Sequence, residues 1–591
     1  MSRRLLFTSR GRGFGRPGGF GAPELRNLER ELFLFKRRLG LASAIVLLAF
    51  AGLAGRFAWL QIAQHSHYQT LAETNRIAIV PIAPNRGVVT DRNGIVLAQS
   101  FSAYTLEVQP SRVKNLDAMI DALSDVVEIA PRDRKRFRKL LEESKNFESL
   151  PLRTRLSDEE VARFAVNRYR FPGVEQVEVD AAGRAVRTLS RTPPTSGNNL
   201  RLSLDIKLQQ VAEKAFGDRR GALVAIDPTT GDVLAFVSKP GYDPNLFVEG
   251  IDPANWQELN ESPDKPLLNR PLRGAYPPGS TIKPFLALGA LTSGKRTATQ
   301  AISDPGYYQL PGQAHRFRDD KPGGHGMVDM YKSIVVSCDT YYYQLANDTD
   351  IDDTARFLGT LGFGQKTGID IEGELTGTLP SREWKRTRFA GPRYRDEHRK
   401  WYLGDSISAG IGQGYNAFTP IQLAHAIATI ANEGVMFRPH LVKSITAVDT
   451  SEVRAIARDS IGTLAVTPEH MAVIRAALVG VNKEGTSARA FTGAAYTSGG
   501  KTGTAQVYSL KGEKYTESKV DERLRDHAWF IAYAPADKPR IALSVLVENG
   551  GFGAQAAAPI ARRVLDYFIT GETRDGGVAL PGAVPGDDES D

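Results

Sequence analysis

Three short segments of this chain carry residue types that could do chemistry together. Ser280 stands three residues before Lys283, directly after the turn-forming run Tyr276-Pro277-Pro278-Gly279. Val336-Ser337-Cys338-Asp339-Thr340 sets a second hydroxyl, the chain's one thiol and a carboxylate side by side. Ser498-Gly499-Gly500-Lys501-Thr502-Gly503-Thr504-Ala505 supplies a second lysine among small and hydroxylated residues. A serine hydroxyl is a weak nucleophile until a base removes its proton, and a lysine amine can do so only if burial or a second cation keeps it neutral. Ser280 and Lys283 at this spacing share one face of a helix. The expected chemistry is acyl transfer through Ser280, with Lys283 as base and Lys501 as the cation that keeps it neutral. Ser337, beside Asp339, would relay protons toward the leaving amine.

A helix beginning at Ser280 adds positive potential and free N–H groups for an anion formed nearby. Lys501 to Ala505 reads as a strand along one side of a cleft. There Gly503 would leave room for substrate backbone, and Thr502 and Thr504 would offer hydroxyls to a peptide carboxylate. The N–H groups of Thr504 and Ser280 would form an oxyanion hole. Singly, the three segments are an ordinary helix start, polar turn and Gly-rich turn. Their order and joint occurrence carry the reading.

The elements that must position these residues are legible in outline. Apolar runs Ala222–Ile226 and Val233–Val237 flank Asp227-Pro228-Thr229-Thr230-Gly231-Asp232 as a hairpin, and late β-rich runs lie at Ala528–Tyr533 and Ile541–Val547. Helical patterns lie between or after them at Thr281–Leu291, Ile421–Ala431, Pro468–Val479 and Ile560–Ile569, with Thr467 as N-cap and Pro468 at N1 of the third. Strands at both ends of a region with helices between them imply an α+β domain. Its antiparallel sheet would pair the first and last strands around an inserted helical subdomain. Before it, Ile77–Pro81 looks strand-like, and Asp91-Arg92-Asn93-Gly94 followed by Ile95-Val96-Leu97 reads as a hairpin. Residues 113–170 are charged and helical in pattern, the basic run Arg132–Lys139 being a solvated helix face.

A chain of 591 residues exceeds what one core can fill. The expected division is a basic, disordered tail (1–38), a transmembrane helix (39–62), a stalk (63–195), an α+β domain (196–570) and a disordered tail (571–591). The boundary near 195 rests on the Thr-, Pro- and Ser-rich stretch Thr192–Asn199. The net charge of +8 would suit a nucleic acid, but ten basic residues fall between Arg3 and Arg38, immediately before the apolar run. That placement puts the N-terminus in the cytoplasm and the rest outside. An uncleaved anchor is expected over a signal peptide or a buried core helix, because the basic stretch is long for a signal peptide. Cys338 is the only cysteine, so no intrachain disulfide forms.

At these segments the chain resembles the class B penicillin-binding proteins of the elongation-specific type. The resemblance extends to Asn85-Arg86-Gly87, Asn269-Arg270, Gly412-Gln413-Gly414 with Thr419-Pro420, and His527-Ala528-Trp529-Phe530. It implies a β-lactamase/transpeptidase-like domain preceded by a stalk or pedestal domain and one transmembrane helix. The implied activity is a D,D-transpeptidase that cross-links peptidoglycan stem peptides ending in D-Ala-D-Ala through a Ser280 acyl-enzyme, and that β-lactams acylate. Implied partners are a polytopic rod-shape glycosyltransferase and other elongation-complex proteins, and the implied location is the cell inner membrane with the catalytic domain periplasmic. No cofactor for catalysis is implied. Asp339 departs from the Asn of many relatives, and the abrupt passage between Phe171 and Gly183 implies a shortened stalk.

Cys338 with Asp304, Asp319 and His325 offers a thiolate, two carboxylates and an imidazole, a chemically reasonable zinc set. By residue type alone a buried, inert Cys remains open. Resemblance to relatives that carry a structural zinc points to the metal. Two rival readings remain: a β-lactamase, for which no deacylating base can be assigned, and a non-catalytic sensor or scaffold stimulating a glycosyltransferase.

Overall fold

The computed structural model describes residues 28–64, 86–100, 103–143, 149–179, 196–248, 250–507 and 521–572. The expected strand at Ile77–Pro81, the linker around Thr192 and both terminal tails lie outside these, apart from residues 28–38 and 571–572. The chain forms two units, residues 1–82 and 83–591. In the first, a helix runs from Leu28 to Ala58 and continues as a π-turn over Trp59–Ala63. Its segment Leu32–Ala63 is long and apolar enough to cross a membrane. The helix therefore begins about ten residues before the expected anchor, because the basic residues Lys36, Arg37 and Arg38 are good helix formers and extend it.

In the second unit, a five-stranded antiparallel sheet has the order Gly499–Ala505, His527–Ala534, Ile541–Val547, Gly221–Ile226, Val233–Lys239. The late strand Ile541–Val547 pairs with the early strand Gly221–Ile226, as the sequence pattern implies. Every residue of the three strands Gly499–Ala505, Gly221–Ile226 and Ile541–Val547 is buried. Both faces of the sheet are therefore covered, and its inner strands Gly221–Ile226 and Ile541–Val547 read as near-continuous apolar runs, whereas the edge strand Gly499–Ala505 is small and polar. The period-2 alternation of a strand sorts its side chains between two cores. Trp529, Ile531 and Tyr533 join the core of the helical subdomain with Phe285, Ile421 and Ile474, whereas Phe530, Ala532 and Ala534 pack with Leu208, Ile560 and Val564.

The helices follow their signals, with shifted ends. Thr467 caps Pro468–Lys483 by accepting from the His470 N–H at 3.3 Å, and Thr419 caps Pro420–Ala431 with a capping box to Gln422. The closing helix runs from Gly553 to Thr570, seven residues earlier than expected, and contains Pro559 within it.

The stalk has its own core around Leu106, Leu123, Phe137, Leu152 and Phe164. The segment expected to be helical throughout also contains the strand Leu150–Leu156, paired with Ala103–Val108. The hairpin Val89–Thr90/Val96–Ala98 forms as expected. It joins a different sheet from the stalk strands, pairing in parallel with Asn199–Leu202, which pairs in turn with Val442–Thr446. The sheet thus crosses the boundary set at 195, and the joint is cemented by buried Asp91. Its carboxylate accepts from the N–H groups of Asn93 and Ile95, both at 2.8 Å, and of Ile206 at 3.3 Å.

Candidate active site

Ser280 sits on a 3-10 turn, Gly279–Ile282, and Lys283 opens the α-helix Lys283–Thr292. The turn is pinned from several sides. Gly279 has φ +53°, and a Cβ there would lie 2.3 Å from the Thr504 carbonyl oxygen, so only glycine admits this approach to the strand Gly499–Ala505. The Gly279 N–H donates to the Gly412 carbonyl at 3.1 Å, and the Gln413 amide reaches the Thr504 carbonyl at 3.1 Å. Ser280 and the Thr504 backbone, the expected oxyanion pair, are thereby neighbours.

The second segment closes the site from the other side. Ser337 has φ +62°, an uncommon conformation for a non-glycine residue and of the kind concentrated at functional sites. Its Oγ accepts from Lys501 Nζ at 2.7 Å and Lys283 Nζ at 3.1 Å, while its carbonyl also accepts from Lys283. With both lone pairs taken by ammonium donors, the Ser337 O–H is left as a donor toward a third group. Lys283 is fully buried and ion-paired with Asp339 Oδ1 at 2.6 Å.

That pair bears on the protonation of Lys283. Burial works to discharge Lys283, but the neighbouring carboxylates, Asp339 first, raise the lysine above its ordinary value. Burial in turn raises Asp339, against the pull of Lys283 and Lys501. Ser280 Oγ makes no hydrogen bond among the described residues, and catalytic bonds are often unformed before substrate arrives.

The third segment is an edge strand, as expected, but its side chains divide differently. Lys501 points toward Ser337, and a Cβ on Gly503 would meet Thr281 Cγ2 at 2.8 Å and the Pro278 carbonyl oxygen at 3.0 Å. The missing side chain of Gly503 makes room for the nucleophile turn, a use of the glycine that strand alternation alone could not supply. Thr502 Oγ1 is bonded at 2.7 Å to Thr486 Oγ1, a hydroxyl that sequence reasoning missed. Thr504 Oγ1 is buried and has no partner among the described residues, which leaves it available to a ligand.

Asp304, Asp319, His325 and Cys338 are brought together as expected, their ligand atoms all within 4.8 Å of one another. The strand pair Ile302–Asp304/Gly326–Val328 presents Asp304 beside His325. Cys338 Sγ lies 3.5 Å from Asp304 Oδ2 and 3.4 Å from Asp319 Oδ2, and His325 Nδ1 lies 3.0 and 3.2 Å from the two carboxylates. Two buried carboxylates and a thiol converging on one imidazole form a donor set that fits a divalent cation of zinc type.

The Ser280 turn beside a buried lysine pair, on a sheet with an inserted helical subdomain, is an arrangement suited to a serine acyltransferase. A family model for the penicillin-binding protein transpeptidase domain matches residues 221–566, and one for the penicillin-binding protein dimerisation domain matches 81–176. The peptidoglycan D,D-transpeptidase MrdA of Escherichia coli is 38% identical, covering 93% of this chain and 96% of that one. The crystal structure of Pseudomonas aeruginosa PBP2 matches with TM-score 0.60 and 35% identity over 83% of this chain and 97% of that one. PBP2 of Helicobacter pylori, solved in complex with MreC, matches with TM-score 0.61 and 26% identity over 83% and 98%. The chain belongs to the penicillin-binding protein transpeptidase family, in its two-domain form with a dimerisation domain before the catalytic one.

Proposed function

We propose that the chain is a peptidoglycan D,D-transpeptidase that cross-links stem peptides through a Ser280 acyl-enzyme during cell-wall elongation. The observation that carries the reading is Ser337 Oγ, held at hydrogen-bond distance by both Lys283 and Lys501 beside the turn of Ser280. Ser280 Oγ attacks the carbonyl of the penultimate D-Ala, and the oxyanion forms between the N–H groups of Ser280 and Thr504. Lys283, once it has given up its extra proton, takes the proton of Ser280 Oγ as the new C–O bond forms and hands it on through Ser337. That proton reaches the departing D-Ala nitrogen, so the charge on Lys283 is unchanged across the step. An acceptor amine then enters where D-Ala left, and the same relay runs in reverse. Thr504 Oγ1, with Thr502 and Thr486 beside it, would receive the terminal carboxylate. A β-lactam, whose amide and carboxylate mimic the dipeptide end, would acylate the same serine.

The N-terminal helix anchors the chain, with its basic end cytoplasmic by the positive-inside rule and the second unit periplasmic at the inner membrane. Its proposed partners are elongation-complex proteins, among them a polytopic glycosyltransferase, a reading supported by the complex of Helicobacter pylori PBP2 with MreC. Asp304, Asp319, His325 and Cys338 would hold a structural zinc, which supplies cross-linking of the loop and no chemistry of acyl transfer. Cys338 lies between Ser337 and Asp339, so the metal would fix the backbone that presents both partners of Lys283. Elemental analysis of protein purified without added metal should find about one zinc per chain, and Cys338→Ser should lose it and lower the melting temperature. Metal-free wild type of equal stability would remove the zinc reading.

Acylation of the detergent-solubilised chain by a fluorescent penicillin, followed by intact mass, tests the central claim. A stable one-to-one adduct is expected, absent from Ser280→Ala. Rapid turnover of the drug would make the chain a β-lactamase, and no adduct on folded protein would leave a scaffold.

A further inference from the structure

Behind the nucleophile turn lies a buried polar cluster that the acyl-transfer chemistry does not use. Glu548, directly after the strand Ile541–Val547, receives three hydrogen bonds. Arg270 donates Nε at 2.9 Å and Nη2 at 3.1 Å, and Tyr276 donates its hydroxyl at 2.5 Å. Arg270 is 2% exposed, and its remaining Nη1 and Nη2 bonds go to the Lys265 and Asp264 carbonyls. Burial opposes the Glu548 charge, but Arg270 and Tyr276 outweigh it and hold the carboxyl below its ordinary value, so the carboxylate is ionised at neutral pH. Arg–carboxylate pairs of this two-pronged kind fix geometry as well as charge.

The cluster joins two parts of the site. Tyr276 lies four residues before Ser280, and its main chain is tied to Phe418 by reciprocal bonds of 3.0 and 2.8 Å. Its ring lies over Gly274, where a Cβ would come within 2.5 Å of the ring, and meets His527 and Trp529 edge-on at 5.3 and 6.2 Å. Trp529 in turn donates to the Pro277 carbonyl at 2.9 Å. Glu548, at the other end of the bond, follows Val547, which pairs with Ala528. Ala528 is the ladder partner of Thr504. One carboxylate is thus linked by a short hydrogen bond to the turn bearing Ser280 and by two rungs of sheet to Thr504.

We propose that Glu548, clamped by Arg270, is a positioning residue for acylation: through the Tyr276 hydroxyl it sets the separation between the oxyanion-hole donors Ser280 and Thr504. It touches no substrate. This rests on the transpeptidase reading, and it concerns the rate of the acylation step and not the affinity of the encounter complex. A displacement near 1 Å at a reacting centre can cost about 10²-fold in rate, and loss of one tether among several should cost less.

The test is Tyr276→Phe in the full chain, which keeps the ring and its packing and deletes one hydroxyl. Stopped-flow acylation by a fluorescent penicillin separates the acylation rate constant from the dissociation constant of the prior complex. The expected result is a fall in the rate constant of roughly tenfold with the dissociation constant unchanged within about twofold. Glu548→Gln keeps an acceptor for Tyr276 but loses the paired charge, and should fall between wild type and Tyr276→Phe. Both variants are compared after normalising to folded protein by near-UV circular dichroism. A Tyr276→Phe rate constant within twofold of wild type, or a loss wholly accounted for by unfolded protein, overturns the proposal. Wild type that forms no Ser280 adduct overturns the transpeptidase reading instead, so the two failures are told apart.

Discussion

Gly503→Ala tests whether the glycine of the third segment serves the substrate or the nucleophile turn. The added methyl would stand 2.8 Å from Thr281 Cγ2 and 3.0 Å from both the Pro278 carbonyl oxygen and the Thr281 nitrogen. The Thr281 side chain cannot swing aside, since it is wholly buried with its hydroxyl on the Pro278 carbonyl at 2.7 Å. Nor can the strand retreat easily, because the ladder to His527–Ala534 is continuous from Gly499 to Ala505. Relief to an ordinary contact near 3.4 Å requires the turn to move by about 0.6 Å, at a stability cost of about 1–3 kcal/mol for overpacking. A shift of that size on Ser280 should slow acylation by roughly 10-fold or more. Penicillin acylation kinetics with thermal unfolding measure both, and Gly404→Ala is the control. Gly404 lies in the helix Leu403–Gly410 with nothing within 4 Å of its added Cβ, so that variant should be at least as stable as wild type. If Gly503→Ala instead weakens the non-covalent encounter while the acylation rate constant holds, substrate and not the turn occupies that space, and the packing argument is wrong.

Ser337→Gly relieves the left-handed penalty of φ +62°, about 1 kcal/mol, but strips an acceptor from buried Lys283 and Lys501, which costs about 1–3 kcal/mol, so stability should fall modestly while acylation drops about 10²-fold or more. Denaturant melts and adduct formation measure the two, and acylation of the folded fraction within twofold of wild type would contradict the role of the hydroxyl. Asp91→Ala strips the acceptor from three N–H groups and should cost roughly 2–4 kcal/mol, read from the urea midpoint, with acylation of the folded fraction retained. A loss below about 0.5 kcal/mol would show that water replaces the carboxylate. Asp232 predicts a pH signature. Burial opposes its charge, but the His440 imidazole at 2.9 Å and Lys443 at 2.5 Å lower it from 3.8 to about 2, and His440 is raised in return. The carboxylate's contribution is present above pH 3.8 and lost as pH falls toward about 2. That of His440 is present below 6.5 and lost as pH rises through its raised folded value. Melting temperatures of Asp232→Asn between about pH 2 and 8 should lack both slopes relative to wild type, and parallel curves would refute the linkage.

What could be read in advance follows the range of the interactions. The meeting of Lys283, Ser337 and Lys501 was legible because each stands in a short segment resembling those of a known family. The four proposed zinc ligands were legible for the same reason, their donor chemistry being explicit in the residue types. The sheet was legible because buried strands announce themselves as apolar runs, and only the ends of helices slipped, as at Gly553, where an Ala-rich start and Pro559 conceal the first turns. The ion pair of Lys283 with Asp339 at 2.6 Å was not legible, since it forms only in three dimensions.

The role of Gly503 shows why the same limit applies to the rest. Strand alternation says which face a residue takes, but what fills that face is set by the turn Gly279–Ile282, more than two hundred residues earlier. Glu548 and Arg270 are farther apart still, and their pairing leaves no local pattern because a Glu after a strand and an Arg in a short helix are ordinary surface residues until the fold buries them together. Two kinds of residue therefore build this site. Those that carry out the chemistry are constrained by type and stand in recognisable segments, while those that hold the geometry are constrained by burial and close approach. The second kind is where a substitution distant in sequence should slow acylation without touching the substrate.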